Sequence, residues 1–235
     1  MSGTNTQARE LRFIFVQMLF ALAIAEIARK AYPLLAIWLL NGAGFTVVLP
    51  GLSHLFLALI VVGSSWVGWA NSRASAKQRW SVDRTLSGPF VVLLADVILV
   101  VLYFLLISQA ENPDSAGNMA RPNALDEALV LTIIFCGYVV WDALTKLGRL
   151  PCHRFLTRTW ITWVCTLLCL VTYTYIACAR SIAGVVVADV VLLGIVITFR
   201  AFKDEQSGIC VPRVGLACLM VTVVVVIFFA VFYSM

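Results

Sequence analysis

The sequence predicts an all-α, polytopic integral membrane protein of about seven transmembrane helices, on three observations. Of 235 residues, 62% are hydrophobic and only 12% are charged, where a soluble domain carries about 25% charged residues. Mean hydropathy is +0.97. The apolar residues fall in runs of about 20, the length that crosses a bilayer as a helix. Backbone groups in hydrocarbon find no water to bond, so runs of this length must be helical. One transmembrane domain covering 1–235 is expected.

Seven runs qualify in order: 12–31, 52–71, 88–108, 127–146, 159–179, 182–201 and 214–234. No small-residue cleavage site followed by a mature domain is visible after the first. The segment 32–51 is apolar but broken by Pro33, Gly42, Gly44 and Pro50. Three placements stay open for it: an extension of the first helix, an interfacial stretch or a re-entrant one.

Basic residues set the orientation. With the N-terminus cytoplasmic, Arg9, Arg12, Arg73, Lys77, Arg79, Arg84, Lys146, Arg149, Arg154, Arg158, Arg200, Lys203 and Arg213 lie inside. Only Arg29, Lys30, Arg121 and Arg180 lie outside, beside an acidic loop that carries Glu111, Asp114, Asp126 and Glu127. This asymmetry predicts a cytoplasmic N-terminus, short basic inner loops and an outside C-terminus, in a cell (inner) membrane. The +5 net charge is thus a topology signal, and nucleic acid is not an expected partner. Membrane lipids are.

The stretch 63–85 shows the plan. Arg73, Lys77, Arg79 and Arg84 are interleaved with Trp66, Trp69 and Trp80 between two spans. Trp66, Trp69, Trp80, Trp141 and Trp160 read as anchors at headgroup depth. A shift of the sequence by 74 residues places Gly63 on Gly137 and Asp83-Arg84-Thr85 on Thr157-Arg158-Thr159. Each unit is a helix, a basic turn and a second helix, a shared hairpin plan.

No catalytic motif is present, and no enzyme, metal site or cofactor is expected. Gly63-Ser64-Ser65 reads as small residues for close helix packing. Neither histidine, His54 or His153, is expected at a depth to partner those serines. Cys165 and Cys169, four apart, read as packing. The seven cysteines, all from Cys136 onward, form no extracellular disulfide framework. All four lysines lie at span ends or in loops, which excludes a retinal-type chromophore site.

Chemistry is expected instead at acids inside spans, because a charge at the bilayer centre costs about 2.5–3.5 kcal/mol. Asp96 stands about 12 Å into the third span at 1.5 Å per residue. Asp189 lies in the outer half of the sixth and Glu26 in the outer half of the first. Asp142, near an inner end, is expected to pair with Lys146 four residues on.

The first span runs Phe15-Val16-Gln17-Met18-Leu19-Phe20-Ala21-Leu22-Ala23-Ile24. The second carries Trp66 before a basic loop, and the third opens Val82-Asp83-Arg84. Over residues 12–105 this resembles the endolysosomal-type potassium channel family and its bacterial homologues. Val16-Gln17 stand where that family has Ser-Asp. The resemblance implies an oligomeric pore lined by the first helix, constricted near Leu22 or Ile24.

The expected function is therefore an ion-conducting channel for monovalent cations, formed by a homo-oligomer. Its path would use Gln17, Leu22, Ile24, Glu26, Asp96 and Asp189. Two other classes stay open: a proton-coupled small-solute transporter using Asp96 and Asp189, and a non-transporting membrane subunit or scaffold.

Overall fold

The computed structural model describes residues 3–40, 42, 44–74, 88–109, 123–146, 152–179 and 184–205. Within them the chain is all helical: α1 (Gly3–Leu40), α2 (Phe45–Ala74), α3 (Gly88–Ser108), α4 (Ala124–Lys146), α5 (Cys152–Ala179) and α6 (Gly184–Glu205). The expected span at 214–234 lies outside the described residues, as do Lys77, Arg79, Trp80 and Arg84. Four described helices are long and apolar enough to cross a bilayer, over Phe45–Asn71, Phe90–Ser108, Ala124–Thr145 and Thr159–Ala177. The chain is a membrane-embedded helical protein.

The segment 32–51 joins the helices on either side. α1 continues through Pro33 to Leu40, and α2 begins at Phe45 and continues through Pro50. Proline lacks the N–H that an interior helical position would donate. The reversal falls around Gly42, whose φ of 66° is a left-handed conformation that glycine adopts without a Cβ clash.

The helices close into a bundle. α3 packs on α4, α4 on α5, α5 on α6 and α6 back on α2, while α1 lies against α2 and α3. α2, α4 and α6 all run in one direction, α3 and α5 in the other. The core is apolar and close-packed, with Leu57, Val61, Leu131, Ile134, Leu192 and Ile195 all buried. The outer face is apolar too. Leu94, Ile98, Val101 and Leu105 form an exposed stripe on α3, at the helical spacing of one face. Leu167, Leu170 and Val171 do the same on α5. In water such stripes would be a liability; lipid tails solvate them.

Buried polar side chains sort to two ends. One lies where α2, α4 and α6 begin, the other where they finish.

Candidate functional site

α4 starts earlier than its hydrophobicity suggests, and this builds the site. The Leu125 backbone N–H donates to Asn123 Oδ1 at 3.1 Å, that of Glu127 to the Asn123 carbonyl at 3.0 Å, and Asn123 Nδ2 to Asp126 Oδ2 at 2.8 Å. Asn123 is thus an N-cap, meeting N–H groups that a first turn leaves unpaired. Asp126 and Glu127 fall in that turn, where the helix dipole favours negative charge. The expected span began at Glu127 itself; the cap starts α4 three residues earlier, at Ala124, and carries Glu127 inward. Its side chain is fully buried in the bundle.

Glu127 meets two partners there. His54, on α2, is also fully buried, and its Nδ1 lies 2.8 Å from Glu127 Oε1. Asp189, on α6, is 2% exposed. The three residues offer a ring nitrogen and two carboxylate oxygens within 4.8 Å of one another, a grouping able to hold a metal ion. The expectation of no metal site thus meets a candidate at a histidine that the sequence reading set aside.

Surrounding groups orient the cluster. His54 Nε2 lies 2.9 Å from the Leu106 carbonyl of α3. A carbonyl only accepts, so Nε2 carries a proton, and Nδ1 is the ring nitrogen turned toward Glu127. The Ser53 hydroxyl donates to Asp189 Oδ2. The short approach of Nδ1 to Oε1 lacks hydrogen-bond geometry. Among the described residues, no donor reaches His54 Nδ1, either Glu127 oxygen or Asp189 Oδ1 while both acids are ionised; Glu127 and Asp189 stand within hydrogen-bonding reach of each other, so a shared proton is one way to join them. Buried polar atoms are nearly always satisfied, so this point calls for a positive particle, a proton shared by the acids or a bound cation.

A second polar layer lies deeper on the same three helices. Ser65, Tyr138 and Arg200 each stand eleven residues after His54, Glu127 and Asp189. Eleven residues are about three turns, hence the same face, about 16 Å further along. The hydroxyls of Ser65 and Tyr138 are hydrogen bonded, and Tyr103 of α3 joins them at 3.1 Å. Ser65 is thus a bonding partner as well as a small packing residue. The Arg200 guanidinium packs against Gly68, where any Cβ would collide with it. Between the layers lie Leu57, Val61, Leu131, Ile134, Leu192 and Ile195, an apolar plug.

The other expected residues are dispersed. Asp96, 4% exposed, accepts the Trp141 indole N–H at 2.8 Å. Trp69 is buried beside Phe20, and Trp66 and Trp160 are exposed. Glu26 pairs with Arg29 on α1 at 2.6 Å. Leu22 and Ile24 point outward from α1, and Gln17 is half-buried. The side chain of Lys146, the neighbour expected from spacing, lies outside the described residues. Lys203 of α6 reaches Asp142 at 2.7 Å and Thr162 of α5 donates at 2.8 Å, tying three helices at the far end. Cys165 and Cys169 are buried in the core.

Compared with protein-family models, curated proteins and solved structures, the chain matches none. The site is read from its own geometry.

Proposed function

We propose that the chain is a membrane transport protein for a cation, with its path between α2, α4 and α6. One observation carries this reading: two carboxylates and an imidazole converge, fully buried, inside an apolar helical bundle. Ionisable residues at membrane depth are costly and mark ion paths and relays. The second layer at Ser65, Tyr138 and Arg200 supports a route along the same faces. The plug between the layers separates two polar compartments, as alternating access requires. Arg200, a fixed cation across the deeper layer, opposes free cation leak.

In this reading the spans number about seven and the N-terminus is cytoplasmic, so His54, Glu127 and Asp189 sit toward the outside. Cysteines placed at Ser108 and Ala74 test this. Ser108 should label from the outside and Ala74 from the inside; the reverse pattern overturns the orientation.

The functional test is reconstitution of the full chain into liposomes with cation-flux readout. Saturable flux that is lost in Glu127→Gln supports the proposal. No flux under any gradient favours the subunit or scaffold class.

A second reading is an oligomeric monovalent-cation pore lined by α1, and the outward exposure of Leu22 (55%) and Ile24 (39%) favours it. It requires a symmetric ring with those residues on the axis and uncoupled flux that survives Glu127→Gln.

A further inference from the structure

We infer that His54, Glu127 and Asp189 form a coordination site for one divalent first-row transition-metal ion. The ligands are His54 Nδ1 and a carboxylate oxygen from each acid. The site stands on its own geometry. It rests on the transport reading only for the ion's role as cargo.

Charge is the first argument. Two buried carboxylates need compensation, and a divalent cation supplies it in one particle, displacing the proton that the acids can otherwise share. A monovalent ion leaves a net charge where desolvation is most costly. Lys30 of α1 is close enough to act on His54, and it is the rival source of positive charge. A cluster neutralised by Lys30 would take up no metal.

The donor set is the second. An imidazole nitrogen with two carboxylate oxygens suits Zn²⁺, Mn²⁺, Fe²⁺ or Co²⁺, while Mg²⁺ and Ca²⁺ prefer oxygen alone. Ligands about 2.1 Å from a tetrahedral ion stand about 3.4 Å apart. One pair stands 2.8 Å apart and all three ligand atoms lie within 4.8 Å of one another, a range that includes that value. Small side-chain rotations suffice.

The groups behind the ligands are the third, and the most specific. A metal-binding histidine characteristically donates its second ring N–H to a carbonyl or carboxylate, which fixes the tautomer and raises ligand basicity. His54 does this through Nε2 and the Leu106 carbonyl. Asp189 is steadied by Ser53 in the same manner. The unpartnered atoms are then those a metal would use. Lone pairs of Nδ1 and Oε1 facing each other at 2.8 Å would repel; a metal ion drawn between them, or a second imidazole proton, turns that arrangement into an attractive one.

The full chain, purified in detergent and stripped with a chelator, is loaded separately with Zn²⁺, Mn²⁺ and Co²⁺. One ion per chain is expected from at least one of the three, and Co²⁺ should show d–d absorption of a low-coordinate nitrogen–oxygen site. Glu127→Gln and Asp189→Asn keep side-chain shape and should each weaken binding by more than about 100-fold. Ser53→Ala should weaken it by about 10–100-fold, the usual cost of an outer partner. Asp126→Asn, beside Glu127 in sequence but bonded to Asn123, should leave it unchanged. Wild-type chain that retains none of the three ions overturns the site. So does equal retention by the Glu127→Gln/Asp189→Asn double variant. Metal binding without flux supports the site while removing its cargo role. Monovalent flux without metal binding keeps the transport reading and overturns the site.

Discussion

The imidazole of His54 and the carboxylate of Glu127 meet at 2.8 Å across α2 and α4, both fully buried, with no hydrogen-bond geometry between them. A cluster selected for stability would be arranged differently. A stabilising pair would have a proton in line and its remaining oxygens satisfied. Here the hydrogen-bonding neighbour of Glu127 is a second acid, Asp189. Functional sites store unfavourable arrangements of this kind, and the surrounding fold sustains them.

The first prediction follows from that cost. In chelator-treated protein, Glu127→Gln replaces one of two buried acids with a neutral group that can still donate to Asp189. Thermal unfolding in detergent should shift upward, equivalent to roughly 1 kcal/mol or more. The carboxamide can also donate to His54 Nδ1. A downward shift comparable to loss of a buried salt bridge would show that the pair is structural.

Much of the fold was legible because bilayer thickness leaves few solutions. Apolar runs at 88–108 and 159–179 predicted helices where α3 and α5 lie, since length and composition alone fix such elements. The extent of α1 and α2 was not legible. Pro33 and Pro50 read as breakers locally, yet tertiary packing carries both helices through them. The site was half legible. Asp189 stood out as an acid inside an apolar run, whereas Glu127 was hidden in an acidic loop sequence and His54 near the end of a span. The missed signal was capping: Asn123, three residues before an Asp-Glu pair, starts α4 early enough to carry Glu127 inward. The eleven-residue spacing repeated on α2, α4 and α6 was also in the sequence. It gains meaning only once those three helices are known to be neighbours.

A second prediction concerns the deeper layer. Gly68 leaves room for the Arg200 guanidinium, and a methyl group there would overlap it. Gly68→Ala should destabilise by about 1–3 kcal/mol, the usual cost of overpacking. Adding Arg200→Ala to Gly68→Ala should recover part of that loss, with a coupling of about 0.5–3 kcal/mol in a double-mutant cycle. Additive effects would mean that the two residues do not touch.

Trp141 gives a third. Its indole donates to Asp96 at 2.8 Å in a nearly dry setting. Trp141→Phe keeps most of the ring but deletes the donor. The expected loss is about 1–3 kcal/mol, the cost of leaving a buried polar group without its partner. Asp96→Asn in that background should cost less than in the wild type, because the bond is already gone. An equal cost in both backgrounds would detach Asp96 from Trp141.

The last prediction tests the tie at the far end of the bundle. Asp142 is 3% exposed and Lys203 reaches it from α6 at 2.7 Å. Taking two charges out of water is costly, so such a pair contributes little relative to an apolar replacement, while breaking it is expensive. Lys203→Met should therefore destabilise by about 3–5 kcal/mol, because it leaves the Asp142 charge undercompensated. Asp142→Asn should be destabilising for the converse reason. The double variant Asp142→Asn/Lys203→Met should be more stable than the Lys203→Met single, and a chemical-denaturation cycle reads the difference. Thr162 donates to Asp142 Oδ2 at 2.8 Å, and an asparagine oxygen preserves that bond in the double variant. If the double variant is as unstable as the sum of the singles, the two side chains act separately, and α4 and α6 are held together by their apolar contacts alone.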